Sequence, residues 1–220
     1  MIISWYGHSC FKIQTRTKRG GEEVTLITDP FDKSIGLRPP QGQTDIVTIS
    51  HPHYDHNNTS LLKGDFFTID APGEYSIKDI SIEGIDSFHD IEKGEKRGRN
   101  TIFVIESEDI RICHLGDLGE KLNEKQLERM NGVDILMIPI GGTYTLDGKL
   151  AEEVIAQVEP KIIIPMHYKI PGLAIDIDDE KVFCAEMGNC PKETTQKLIL
   201  KKKDIEEKEN EIVLMSILNS

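Results

Sequence analysis

The chain has little of what would mark it for a membrane, a secretory route or a nucleic acid. No apolar run approaches the roughly 18 residues that a membrane-spanning helix needs. The opening MIISWYGHSC has no basic start, no long apolar stretch and no small-residue cleavage site. A cytoplasmic location without membrane contact is therefore expected. Cysteine is scarce: Cys10, Cys113, Cys184 and Cys190 include no C-x-x-C pair, so reduced thiols are expected rather than a disulfide framework. Cations are outnumbered, with 26 Lys and Arg against 38 Asp and Glu, a net charge of −12 that opposes binding to a phosphate backbone. This balance suits a small-molecule substrate better than a long nucleic acid, and association of identical chains is compatible with it. Two cationic stretches, TRTKRGG (15–21) and EKGEKRGR (92–99), stand out as local exceptions able to attract an anion, although most such runs are solvated loops.

What remains is the pattern of an ordinary globular protein, 38% hydrophobic and 29% charged over 220 residues. That length predicts one compact domain spanning 1–220. The first half reads as short strands, MIISWYG, CFKIQT, VTLITDPF, DIVTIS, FFTID and ISIEGI, separated by turn residues such as RPPQGQ and APGEY. The second half opens with NTIFVIE and IRICHLGD and then alternates. A helix NEKQLERMN with Asn123 as N-cap precedes strand DILMIPI, and helix KLAEEVIAQVE precedes strand KIIIPMHY. A third helix, DDEKVFCAEMG, closes at Gly188, and TQKLILKK and EIVLMSIL read as final strands around a charged turn. Two β-rich halves with helices near strand ends suggest an α/β, four-layer αββα sandwich.

ISHPHYDHNN (49–58) follows the DIVTIS strand, on a loop where open α/β sheets commonly place ligands. His51, His53, Asp55 and His56 form H-x-H-x-D-H. Imidazoles at i and i+2 of an extended backbone point the same way and can share one cation, while Asp55 and His56 can face a second. A lone histidine here would most simply be a hydrogen-bonded surface residue. Four ligand-type side chains in six positions reverse that balance, because burying them without partners costs several kcal/mol, on the order of magnitude of an unpaired polar group each.

These residues closely resemble the metallo-β-lactamase superfamily, whose hallmark is H-x-H-x-D-H after a buried strand. Further family-like stretches follow in order: TDPF (28–31), SFHD (87–90), CHLGDLG (113–119), IPIGGTYT (138–145) and IPMHY (164–168). Together with the GHSCF-like start they are similar to small metal-dependent hydrolases related to ascorbate-phosphate lactonases. The resemblance implies the metallo-β-lactamase fold and one metal held by His51, His53 and His89. It implies a second metal held by Asp55, His56 and His167, with Asp117 bridging and Asp55 and Asp117 as the catalytic carboxylates. Leu118 departs from relatives that carry Thr there, so a polar contact is expected to be missing.

The implied cofactor is a pair of divalent ions, Zn2+ first, with Mn, Fe or Ni also suited to imidazole and carboxylate. A hydroxide bridging the pair would attack an ester, lactone or phosphoester of a small, anionic substrate. Water shared by two dications has its pKa lowered toward ~7, and a site of roughly +1 formal charge tolerates anions in an acidic protein. The alternatives are a phosphodiesterase or nuclease acting on RNA or nucleotides, and a metal-binding scaffold without catalysis. Five of the seven histidines fall in the implied ligand set. His114 is open between orienting a ligand and packing in a strand, and His8 between bordering the pocket and a strand-end hydrogen bond. Tyr144, Tyr168 and Lys169 read as loop-anchoring or solvated residues, and Gly141–Gly142 as a turn or an anion-admitting backbone.

Overall fold

A computed structural model describes residues 1–18 and 20–218. Arg19, in the first cationic stretch, lies outside the described residues. Two sheets carry the architecture. The first has the order Lys197–Ile199, Ile2–Gly7, Cys10–Arg16, Glu23–Thr28, Ile46–Thr48, Phe67–Ile69. The second runs Glu211–Ile212, Ile162–Met166, Ile135–Pro139, Ile110–His114, Arg99–Ser107, Ile80–Phe88, Gly73–Ile77. A small third sheet pairs Gly42–Gln43 with Leu62–Lys63. One apolar cluster joins the sheets face to face, with Ile3, Trp5 and Phe11 from the first and Phe103, Ile112 and Leu136 from the second.

Each sheet has a parallel set; in the second, Ile135–Pro139 and Ile162–Met166 are apolar throughout and fully buried, as strands covered on both faces require, whereas the first ends at the largely exposed Phe67–Ile69. Ile110–His114, Ile135–Pro139 and Ile162–Met166 are parallel neighbours, as are Glu23–Thr28, Ile46–Thr48 and Phe67–Ile69. Parallel strands end on the same edge, and it is this edge that gathers the functional loops.

Two helices connect strands of the second sheet, and a third leads from it to Lys197–Ile199 of the first. Helix α1, Glu124–Met130, starts in a capping box between Asn123 and Gln126, as the sequence predicts. Helix α2, Gly148–Val158, is capped by Asp147 and buries Ala151, Val154 and Ile155 on the crossover between parallel strands. Helix α3, Glu180–Met187, ends at Gly188 with φ 66°, the left-handed conformation that favours glycine. The αββα reading thus holds, with one outer layer reduced: a second apolar cluster, including Ile27, Val47, Ile35 and Leu173, covers the first sheet with the Lys33–Ile35 turn and the chain near Leu173.

Three details differ from the sequence reading. APGEY is not only a turn: Gly73–Ile77 forms a hairpin with Ile80–Phe88 through Lys78 and Asp79, both at positive φ. A turn of this twist usually announces itself with Asn-Gly or Asp-Gly, and its absence hides the strand. EIVLMSIL is strand only at Glu211–Ile212, followed by single bridges at Met215 and Ile217. Finally, Cys184 and Cys190 form a disulfide, while Cys10 and Cys113 are buried free thiols. The turn after Gly188 folds Cys190 back to a Cα–Cα distance of 5.4 Å from Cys184, well inside bridging range, a proximity that a search for C-x-x-C does not detect. Among the described residues no helix is long and apolar enough to cross a membrane.

Candidate metal centre

Six strand ends deliver the site. His8 follows Ile2–Gly7, Asp29 follows Glu23–Thr28, and the His51–His56 loop follows Ile46–Thr48. From the second sheet, His89 follows Ile80–Phe88, Asp117 lies beyond Ile110–His114, and His167 follows Ile162–Met166. His51, His53, Asp55, His56, His89, Asp117 and His167 are thereby brought to one place, although up to 116 positions separate them along the chain. Asp117 sits at the centre. Its Oδ2 lies 3.2 Å from His56 Nε2, 3.3 Å from His89 Nε2, 3.1 Å from His167 Nε2 and 3.9 Å from His51 Nε2.

The potential ligand atoms divide into groups. His51, His53 and His89 converge on one side, and His8, His56 and His167 on the other. His51, His56, His89, Asp117 and His167 are buried, Asp55 is half-buried, and His53 is exposed on the wall of a cleft of about 620 Å³. Tyr54, Tyr144 and Arg97 also line that cleft.

Asp29 is a residue whose role the sequence reading left unassigned, though TDPF was noticed. Its carboxylate accepts from Ser50 N at 2.7 Å and from Ser50 Oγ at 2.6 Å, and lies 2.9 Å from His56 Nδ1. Ser50 Oγ in turn stands 2.8 Å from His51 Nδ1. Because the serine proton goes to Asp29, its oxygen is left to accept from His51 Nδ1–H. His56 Nδ1–H likewise donates to Asp29. Both imidazoles are therefore held in the tautomer that presents a bare Nε2 lone pair to the centre, as metal-ligating histidines usually are. Asp29 holds this position with φ 38°, and His8 and His167 with 54° and 51°, three non-glycine residues in the left-handed region. Only a demanding local geometry sustains such strain at three strand ends around one site.

The Asp117 loop is fixed from the neighbouring strand of the same sheet, Arg99–Ser107. Asn100 Oδ1 accepts from Asp117 N at 2.9 Å, and Asn100 Nδ2 donates to Leu115 O. Gly116 of GDLG has φ 57°, and a Cβ there would fall 2.3 Å from Asn100 Oδ1, so the close approach requires glycine. Leu118 is fully buried among apolar side chains, consistent with the missing polar contact.

Charge follows the same plan. Burial lowers the pKa of His8 to about 4, helped by neighbouring His167. It lowers His51 to about 2, helped by His56. Burial alone disfavours ionised carboxylates, but the His8 hydrogen bond and His56 keep Asp55 anionic, and His167 and His56 keep Asp117 well below the usual range. Burial also opposes a charged His56, yet Asp117 and Asp29 outweigh it and raise its pKa well above 6.5. Neutral imidazoles beside carboxylates are the donor set of a divalent cation, which would take the place of the His56 proton. His51 Nε2 is buried without any hydrogen-bond partner, aimed into the cluster, and such an orphan is costly unless something else meets it. The residues fit metal binding.

The remaining candidates fall outside the cluster. His114 receives Gly116 N–H at Nδ1, so its Nε2–H donates to Ser9 O at 2.8 Å: it supports the loop rather than a ligand. Tyr168 stacks on Trp5 at 5.2 Å, and Lys169 Nζ donates to Ile175 O. Gly142 N–H is spent on Leu146 O, and a Cβ at Gly141 would sit 2.2 Å from His167 O, so this pair serves close packing rather than anion capture. His8, by contrast, is fully buried within the cluster.

The chain is similar to known proteins over most of its length. The family model of the beta-lactamase superfamily domain matches residues 2–167. A UPF0173 protein from Pyrococcus abyssi is 29% identical over 189 residues, covering 78% of this chain and 85% of the relative. A UPF0173 metal-dependent hydrolase from Staphylothermus marinus is 29% identical over 195 residues, covering 76% of this chain and 83% of the relative. A Thermotoga maritima crystal structure, described by inference as a Zn-dependent hydrolase of the metallo-beta-lactamase superfamily, superposes with a TM-score of 0.78 at 36% identity over 99% of both chains. This chain belongs to the beta-lactamase superfamily domain family and is a metal-dependent hydrolase of the metallo-β-lactamase superfamily.

Proposed function

We propose that the protein hydrolyses a lactone, ester or phosphoester of a small anionic substrate with two divalent cations. His51, His53 and His89 would hold one, and Asp55, His56 and His167 the other, with Asp117 between them. The observation that carries this reading is the reach of Asp117 Oδ2 to within 3.1–3.3 Å of one nitrogen from the first group and two from the second. When bound, zinc or a similar dication makes water a strong nucleophile at neutral pH and polarises the bond attacked.

The chain's own residues account for the rest. Asp55 lines the cleft as a half-buried carboxylate and would carry the proton given up by the attacking water to the departing group. His53, exposed at the cleft, would hold its cation from the side open to substrate. Arg97 supports an anionic substrate. Its guanidinium lies 5.2 Å from the Tyr144 ring centroid and donates to Thr143 O at 2.9 Å, which uses one of its five N–H groups. The loop that presents it is tied down by Asp90, whose carboxylate accepts from the backbone N–H groups of Glu92, Gly94, Lys96 and Arg97. Part of the second cationic stretch thus faces the cleft in an otherwise acidic protein.

The test is a panel of lactones, phosphomonoesters and phosphodiesters, run beside elemental analysis, for wild type and Asp117→Ala. Two divalent ions per chain and metal-dependent turnover of an anionic ester or lactone are expected. A folded preparation that takes up no divalent ion, or an Asp117→Ala variant with undiminished turnover, overturns the proposal. Turnover of a dinucleotide with none of the lactones or simple esters would replace it with a phosphodiesterase.

A further inference from the structure

His8 lies outside the ligand set implied by the H-x-H-x-D-H resemblance, yet it occupies the heart of the cluster. Its side chain is fully buried, and its Nε2 is 3.1 Å from His56 Nε2 and 3.2 Å from Asp55 Oδ2. Its ring centroid is 4.2 Å from that of His167. With metal–ligand bonds of about 2.1 Å, two donor atoms on one ion stand about 3.0 Å apart at a right angle and about 3.4 Å at the tetrahedral angle. Both His8 distances fall within that span, as do those from Asp117 to His56 and His167. The His56 Nε2 to Asp55 Oδ2 distance, 3.7 Å, matches an angle near 120° between bonds of about the same length.

An ordinary hydrogen bond to Asp55 explains only one of these contacts. Two imidazole Nε2 atoms facing each other at 3.1 Å, each also beside a carboxylate oxygen, is the spacing of donors around a shared centre. The backbone is built for it. Strand Ile2–Gly7 breaks register between Trp5 and Gly7, His8 then takes φ 54°, and its carbonyl accepts from Trp5 Nε1 and His167 N. His8 also shares with His89 and His167 a buried Nδ1 without a hydrogen-bond partner, leaving Nε2 as the nitrogen turned to the cluster in all three.

We propose that His8 is a fifth protein ligand of the second cation, which it would share with Asp55, His56, Asp117 and His167. This rests on the dinuclear reading above. The two positions then differ: three histidines and one carboxylate suit a four-coordinate ion such as zinc, whereas three histidines and two carboxylates suit Mn, Fe, Co or Ni with five or six ligands. The pair is a selective, unequal one.

The experiment measures metal content and affinity, independent of turnover. Apo protein is reloaded with Mn2+ and Zn2+, separately and together, and the ions per chain are counted by elemental analysis for wild type, His8→Ala and His8→Gln. Glutamine keeps volume and a hydrogen bond to Asp55 but is a poor ligand for these ions, so it guards against misfolding of the alanine variant. Circular dichroism of each apo protein monitors the fold. Wild type should hold two ions, and His8→Gln should weaken the second by roughly 100-fold or more, since even the loss of an outer hydrogen-bonding partner costs 10–100-fold. Manganese should be lost before zinc, and the Co2+-loaded variant should lose the weak absorption of its five- or six-coordinate ion. If wild type binds two ions and both variants retain both with unchanged affinity, the His8 assignment is overturned while the dinuclear reading stands. If wild type itself takes up fewer than two, both fall.

Discussion

His51, His53 and His89 form a group with one exposed member, whereas His8, His56 and His167 are all buried. His53 and His89 of the first group line the cleft together with His167 of the second, and the exposed His53 packs against the rings of His51 and His89. The second is enclosed by two strand ends in left-handed conformation and by the Asp29 carboxylate beneath His56. An enclosed donor set exchanges its ion slowly and holds it in one geometry, while an open one leaves room for substrate. With the proposed pair of ions, exchange is therefore expected to be slower from the buried group than from the one that includes exposed His53.

The largest effect should come from the residue the halves share. Asp117→Ala is expected to lower kcat/KM by roughly 10³-fold or more and to weaken both ions, because its oxygen serves both groups. Full retention of one ion would show that it serves only one. Chelation comes next. Ion release followed with a chromogenic chelator should be biphasic, the fast phase belonging to the group with exposed His53. Complete removal of both ions should lower Tm by about 10–20 °C, since each ion at 100 Kd contributes about 2.7 kcal/mol and each kcal/mol is worth about 2–4 °C in a chain this size. A single release phase would erase the distinction.

Asp29→Asn should weaken both ions by about 10–100-fold, as its hydrogen bonds reach one histidine of each group. An effect on the second ion alone would mean that Ser50 suffices for His51. Arg97→Ala should raise KM for an anionic substrate about 10-fold with kcat little changed, the low end of a lost charge-assisted hydrogen bond, and leave a neutral ester untouched. Kinetics with a matched pair of esters decide this. Smallest of all, reduction of Cys184–Cys190 should cost about 2 kcal/mol for so short a loop, visible as a few degrees of Tm with kcat/KM unchanged.

Legibility followed covalent proximity. His51, His53, Asp55 and His56 could be read from spacing on one loop, and the caps Asn123 and Gly188 from residue type, because each depends on neighbours within a few positions. His89, Asp117 and His167 needed the family resemblance, since alone each is an unremarkable residue at a strand end. Asp29 and His8 escaped assignment for a different cause. Their meaning lies in hydrogen bonds and contacts to residues 21 to 48 positions away, and no local pattern encodes those. The Cys184–Cys190 bridge was missed because a helix end brings the two together across a spacing that carries no motif.

By itself, the sequence determined the alternation of buried strands and capped helices, the edge on which the loops gather, and the chemistry of the H-x-H-x-D-H turn. Periodicity, capping and parallel pairing act over short stretches of chain, so they survive reading in one dimension. Tertiary structure alone decided which histidines share a centre, which carboxylate orients them and which cation faces the cleft. Those choices depend on the packing of one sheet against the other, where displacements of a single ångström separate a ligand from a neighbour.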